Sequence, residues 1–372
     1  MKYLRMPIEI EAPEQLGYGT IHCNLTESSY ADFRFKDLGL NLEELLISYI
    51  DHRGHPGLRS LLSQETDGKV LPDRILITSG AAQALFVVST SLLERGDELV
   101  VVRPNYGTNL ETPRAIGAQV KVVDLTFESS WKTDPSRIQE ALSPKTKLVS
   151  ITVPHNPTGA MMSRQDLQEV VELTARVGCR LLVDETYREM SPSGVLPYAA
   201  TLAPHVISVA SVSKTFGLPG IRIGWLMTSD AKLSELFLAA KEQIQICGSA
   251  LDEEIAFQFL QRKNQFLPTI LTNLDRRFAI LKNWMKAQNH LEWIEPQGGC
   301  VAFPRFRSEV LERLDLDSFY RLLNSEFSTH VGPGHWFEQP RSYMRLGYGW
   351  PTDEALKEGL DNITRAARGA LR

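Results

Sequence analysis

A single lysine, Lys214, stands among small hydroxyl residues in the stretch Ser211-Val212-Ser213-Lys214-Thr215. A turn rich in glycine and proline follows it, and then Arg222. The apolar run Val206–Ala210 ahead of it reads as a strand, so the lysine belongs at the edge of a packed sheet, with another strand opening at Ile221. Partial burial lowers the pKa of an ammonium and makes its amine nucleophilic towards an aldehyde. Ser211 and Arg222 offer a hydroxyl and a rigid fork of N–H donors, a set suited to a phosphate. Asp184 closes the apolar strand that begins at Arg180, where a carboxylate is costly to bury without a charged partner. Tyr187 follows three residues on. Asn156 is bracketed by Pro154 and Pro157 in a rigid turn that leaves its amide free to donate. Arg345 alternates with apolar neighbours in Tyr343-Met344-Arg345-Leu346, so on a strand it points away from the face they bury.

These residues need a scaffold, and the periodicity supplies one. A strand over Arg74–Thr78 runs into Ser79-Gly80-Ala81-Ala82 and then a helix. That arrangement aims free backbone N–H groups at an anion, and small side chains at Gly80, Ala81 and Ala82 allow it close. The strand Glu98–Val102 is apolar without alternation, as in a sheet covered on both faces. Tyr106, just past its carboxyl end, can lie flat on a planar ring. Strands over 119–123 and 147–152 and helices over 135–142 and 164–175 continue the β-α alternation. Asn41 is placed to cap a helix through Leu42, Leu45, Leu46, Tyr49 and Ile50. Beyond Trp225 the pattern is helical from about 231 to 263, broken near Cys247-Gly248-Ser249. A helix over Pro268–Gln288 would carry Pro268 at its first position. An antiparallel hairpin over Trp293–Phe303, a helix over 315–323, a glycine-rich turn at 329–337 and a final helix over 352–370 follow.

Composition narrows the class. With 372 residues the chain exceeds one typical domain, and a net charge of -5 argues against a basic nucleic-acid surface. The four cysteines, Cys23, Cys179, Cys247 and Cys300, form no CxxC pair, so a metal cluster or redox dithiol has no support, and their scarcity suits a reducing cytoplasm. No apolar run reaches signal-peptide or membrane-spanning length.

The lysine stretch, the turn Asn156-Pro157-Thr158-Gly159 and the strand end Asp184-x-x-Tyr187 together resemble class I/II aminotransferases, which use pyridoxal 5'-phosphate (PLP). The likeness covers nearly the whole chain. It implies an α/β type I PLP fold, with a large domain over 41–270 bearing a mostly parallel sheet. Residues 1–40 and 271–372 would form an arm and a smaller α+β domain. It further implies a homodimer, with PLP on Lys214 as a Schiff base and an amino acid and a 2-oxo acid as substrates. By the same resemblance Asp184 meets the pyridine nitrogen, Asn156 and Tyr187 the phenolic oxygen, and Tyr106 stacks on the ring. Ser211, Arg222 and the turn at Gly80, Ala81 and Ala82 would hold the phosphate, joined by Tyr49 from the neighbouring subunit. Arg345 would grip the substrate carboxylate, Asn156 would bind the substrate as well, and Asn24–Ser29 would pass a backbone turn over it. His155 reads as a neighbour of the site, buried behind it or exposed, and Glu185 as a structural or rim residue.

Other readings stay open at this stage. Lyases, decarboxylases and cyclising enzymes share the fold and its cofactor residues. A transcription regulator of this fold would need a DNA-binding segment, for which the short arm leaves no room. A dinucleotide enzyme would need GxGxxG after Thr78, which is lacking. For a dicarboxylate substrate, Arg305 and Arg307 are the available second cations. Tyr18, His335 and Trp336 are candidates for the side-chain pocket.

Overall fold

The computed structural model describes residues 1–371. A strand near the amino terminus, β1 (Cys23–Leu25), is set apart from the main sheet. That sheet has seven strands: β2 (Ile75–Thr78), β3 (Glu98–Arg103), β4 (Gln119–Asp124), β5 (Thr146–Thr152), β6 (Arg180–Asp184), β7 (Val206–Ser211) and β8 (Gly224–Thr228). Their order is β2-β8-β7-β6-β5-β3-β4, and only β8 runs against its neighbours. Apolar side chains fill both faces, as the continuous runs in β3, β6 and β7 require. Helices cover them: Gly80–Leu92 packs on β7 and β8, and Arg164–Val177 lies against β6. The second of these starts at Ser163, whose side chain accepts from the Asp166 N–H, and stops at Gly178 in the left-handed conformation.

Parallel strands end at one edge, and the chemistry gathers there. Thr152 of β5 lies beside Asp184 of β6, and Gly224 lies between Thr78 of β2 and Ser211 of β7. Four short strands follow: β9 (Leu291–Glu292), β10 (Val301–Ala302), β11 (Arg305–Phe306) and β12 (Thr329–Pro333). With β13 (Met344–Gly347), they complete the list of strands. A second sheet has the order β1-β12-β13-β10, so the amino-terminal strand pairs with the carboxyl-terminal part of the chain.

Four local expectations fail. Residues 41–50 form no helix; they run as turns and open chain. Leu46, Ile47 and Tyr49 are 75%, 73% and 84% exposed, so an apolar face there has nothing to pack on, and a ten-residue helix is marginal without packing. No strand opens at Ile221. Pro219–Ile221 make a single 3-10 turn, Arg222 takes φ 52°, and β8 begins at Gly224. The helix expected from Pro268 starts at Lys263 and carries Pro268 inside it, running to Lys286. Trp293–Phe303 is not a hairpin. β9 pairs with β11 and β10 with β13, because the chain between them bonds elsewhere: Gln297 and Gly298 N–H donate to the Gly159 carbonyl, and Gly299 N–H to Met190.

Gly347, at the end of β13, lets the arm cross this strand at contact distance. A methyl group there would run into the carbonyl oxygen of Glu27. Gly347→Ala is expected to destabilise the fold by ~1–3 kcal/mol, the usual range for overpacking, read as a lowered midpoint in urea denaturation.

Candidate active site

A cavity of about 540 Å³ opens at the carboxyl edge of the parallel strands. Lys214 lies in it, half-buried, three residues beyond the end of β7. Its backbone is pinned from the arm, since Tyr30 N–H donates to its carbonyl at 2.8 Å and Phe33 N–H to that of Gly217. Burial pulls the lysine below its ordinary pKa; Glu27 opposes that, while Arg345 and Arg222 add to it. The neutral amine that nucleophilic chemistry needs is therefore favoured.

Asp184 ends β6 inside the same cavity. Its Oδ1 accepts from the Thr186 N–H at 3.1 Å and the Thr186 hydroxyl at 2.6 Å. Its other oxygen has no hydrogen-bond partner among the described residues, and burial raises its pKa, opposed by the bonds to Thr186 and by the charge of Lys214. Thr186 was not singled out from the sequence, although Asp-x-Thr is a spacing that closes such a turn. Asn156 accepts from Arg345 Nη1 at 3.0 Å, which leaves its amide N–H groups for the cavity. Tyr187, also in the wall, is buried and bonded to Ser28, and burial raises its pKa strongly.

On the other side, the helix Gly80–Leu92 begins without a side-chain cap, and Ala81 and Ala82 line the cavity. Gly80 itself is not in the wall. It has φ 76°, and a Cβ there would lie 2.5 Å from Arg222 Nη2, so glycine is what lets this guanidinium reach the helix end. Ser211 and Ser213 add hydroxyls beside it. Tyr106 lines the cavity and donates its hydroxyl to Glu9 at 3.1 Å, with its pKa pushed up to about 12 by burial and then by that carboxylate.

Arg345 is 4% exposed, yet no carboxylate pairs with it among the described residues. Nη1 donates to Asn156, Nη2 donates to the Thr26 carbonyl at 2.7 Å, and Nε has no partner. Burial lowers its pKa, the direction expected for a cation lacking a counter-ion.

A family model described as aminotransferase class I and II matches residues 33–363. The chain belongs to that family. It is 28% identical to capreomycidine synthase of Streptomyces vinaceus, over 80% of this chain and 76% of that protein. A PLP-dependent aminotransferase from Streptococcus suis superposes with a TM-score of 0.91 at 28% identity, covering 100% of both chains. A PLP-dependent cyclase, OrfR, superposes with a TM-score of 0.88 at 27% identity, covering 99% of this chain and 98% of that one. The cofactor of the family, PLP, fits the donor set: a free acceptor on Asp184, free N–H groups on Asn156, an uncapped helix end beside Arg222, and a lysine of lowered pKa.

Several of the remaining expected residues lie apart from the cavity. Tyr49 stands on the open surface. Arg305 pairs with Glu292 and Glu128, and Arg307 reaches Glu292 at 3.9 Å, so neither is a free cation for a substrate. Tyr18 and Trp336 do line the cavity, while His335 does not and faces Glu11 instead. Glu185 is neither exposed nor in the wall; it is buried behind β6, accepting from the Ala199 N–H. His155 is buried behind Asn156 with Nδ1 2.8 Å from the Thr158 hydroxyl, and burial lowers its pKa to about 4.

The sign of that shift gives a test. The unfolded chain protonates this imidazole near its ordinary pKa of 6.5 and the folded chain only near 4. Unfolding therefore takes up a proton between those values, and stability falls as pH drops through the window, by on the order of 3 kcal/mol from this group. His155→Gln is expected to remove that part of the slope, measured by urea denaturation at intervals from pH 7 to pH 4.

Proposed function

We propose that this chain transfers an amino group between an L-amino acid and a 2-oxo acid, with Lys214, Asp184 and Tyr187 as its catalytic residues. One observation carries the reading: a buried guanidinium with no carboxylate partner among the described residues, Arg345, shares a cavity with the half-buried Lys214. Such a guanidinium calls for a carboxylate, since a buried charge without a partner is costly and a fork of N–H groups fits a planar anion. A carboxylate held there presents its α-carbon and α-amine to the floor of the same cavity.

Bound PLP supplies an aldehyde that condenses with amines and a ring that accepts the electron pair left when the α-proton departs. Asp184 would face the ring nitrogen and keep it protonated. Asn156 and Tyr187 would donate to the phenolic oxygen, and Tyr106 would lie against the ring. Ser211, Arg222 and the N–H groups of Ala81 and Ala82 would bind the phosphate, with Gly80 admitting Arg222. Lys214 Nζ, neutral through burial, would take the proton from the substrate α-carbon and deliver it across the nitrogen to the carbon supplied by the cofactor's aldehyde.

The likeness to OrfR supports a second reading, in which product forms from an amino acid without consuming a 2-oxo acid. The stoichiometry of 2-oxo acid consumption separates the two. The pairing of β1 with β12 supports the division proposed from the sequence, with 41–270 as the larger part and both chain ends in the smaller. Four free cysteines support a reducing, cytoplasmic setting, and no helix among the described residues is long and apolar enough to cross a membrane.

Lys214→Ala is expected to lower kcat by about 10²–10⁴, the range for losing a general base, measured as 2-oxo acid formation by the PLP-loaded enzyme. Arg345→Lys is expected to raise KM by roughly 10–100-fold, as removal of a charge-assisted pair does. A lysine variant of undiminished rate would overturn the role given to Lys214.

The exposed run Leu46, Ile47 and Tyr49 supports a homodimer in which Tyr49 reaches the partner's phosphate site. Sedimentation is expected to give twice the chain mass of 41.8 kDa. Tyr49→Phe is expected to weaken PLP binding by about tenfold. A monomer, or unchanged affinity, counts against this assignment.

A further inference from the structure

One wall of the cavity has no part in the roles above. Glu9, Glu14, Glu27 and Asp32 line it, and all four come from the amino-terminal arm. Neutral donors hold three of them. Glu9 accepts from the Tyr106 hydroxyl, Glu27 from the Tyr18 hydroxyl at 3.0 Å, and Asp32 from the Trp350 indole N–H at 2.9 Å. These bonds fix the carboxylates without neutralising them: none of the four is ion-paired within 4.0 Å among the described residues, and Lys214 and Arg345 act on Glu27, and Lys214 on Asp32, only from further away. The cations of the cavity are Lys214, Arg222 and Arg345, which the proposed function already commits to amine, phosphate and α-carboxylate.

The acidic wall and the carboxylate grip are joined through the backbone. Arg345 Nη2 holds the Thr26 carbonyl, and Glu27 is the next residue. An amino acid held on Arg345 thus has the half-buried Glu27 as a near neighbour in the same cavity. Tyr18, which donates to Glu27, stacks on Trp350 with ring centroids 6.1 Å apart and planes at 18°. Aromatic faces beside fixed carboxylates attract ammonium and guanidinium groups. A distal carboxylate would meet like charges in this wall and no free cation, because Arg305 and Arg307 are held by Glu292 outside the cavity.

We propose that the substrate is an L-amino acid whose side chain ends in an ammonium or guanidinium, received by Glu27, Asp32 and Tyr18. This rests on the reading of the site as one that acts on amino acids. The test compares kcat/KM of the PLP-loaded enzyme for L-arginine, L-lysine and L-ornithine with that for neutral L-citrulline and acidic L-glutamate. The best cationic substrate is expected to exceed L-citrulline by roughly 10–100-fold, as one charge-assisted contact gives, and to exceed L-glutamate by more. Glu27→Gln is expected to reduce the preference for the cationic substrate over L-citrulline about tenfold, and Glu27→Lys to shift preference towards L-glutamate. L-Glutamate used as well as any cationic amino acid, or a preference unmoved by Glu27→Gln, overturns the proposal. Calorimetric titration of the holoenzyme keeps the two readings apart. Selective binding of L-arginine with no 2-oxo acid formed from any amino acid leaves the substrate class standing and removes transamination. Transamination of L-glutamate alone does the reverse.

Discussion

Two buried ions of opposite sign, each without a charged partner, set the terms for this structure. Arg345 has no carboxylate and Asp184 no cation, although both are nearly inaccessible to water. Burying an unpaired charge costs several kcal/mol, and pairing the two directly would cancel both costs. The fold keeps them in separate walls of the cavity. Arg345 spends its Nη groups on Asn156 and the Thr26 carbonyl, and Asp184 spends one oxygen on Thr186. What is left is the remaining N–H groups of Arg345 on one side and one carboxylate oxygen of Asp184 on the other, for ligands of matching charge. A cofactor with a protonated ring nitrogen and a substrate with a carboxylate relieve the two strains at once. Ligand binding and stability are therefore linked in this protein, because whatever binds only the folded chain also stabilises it.

The sheet makes this separation possible. Asp184, Asn156 and Lys214 lie at or just past the ends of strands β6, β5 and β7, which are neighbours in the sheet. Arg345 comes from β13 in the other sheet, across the cavity. The arm closes the remaining side. It donates Tyr30 N–H to the carbonyl of Lys214, offers the Thr26 carbonyl to Arg345, and carries the acidic wall. One segment thus holds the nucleophile, orients the carboxylate grip and sets the charge seen by the substrate side chain.

Much of this was legible in the chain alone because it is local. A strand end followed by small residues and a helix reads the same in one dimension as in three, so the Ser79–Ala82 turn, Tyr106, Asn156, Asp184 and Lys214 could be located by position. The expected helix at 42–50 shows the limit. Its periodicity is real, but Leu46, Ile47 and Tyr49 have no surface to bury against, and propensity without burial does not hold ten residues in a helix. The expected hairpin at 293–303 fails similarly, since Gly159 and Met190 take the N–H groups that a hairpin would have used. The acidic wall gave no sequence signal: Glu9, Glu14, Glu27 and Asp32 are scattered through an arm with little regular structure, and only the fold brings them to one side of a cavity.

The sequence by itself determined the chemistry of the site: a lysine at a strand end, a carboxylate buried at another, an amide fixed by prolines and an arginine facing away from a core. Short-range sterics and burial preference suffice for that, because each feature needs only its immediate neighbours. Tertiary structure alone decided which charges would go unpaired, that Arg305 and Arg307 are held by Glu292 and Glu128 instead of facing the cavity, and that four carboxylates of the arm stand opposite the carboxylate grip. Electrostatic pairing depends on distance in space, and residues such as Thr26 and Arg345, bonded across more than three hundred positions, have no relation along the chain from which it could be read.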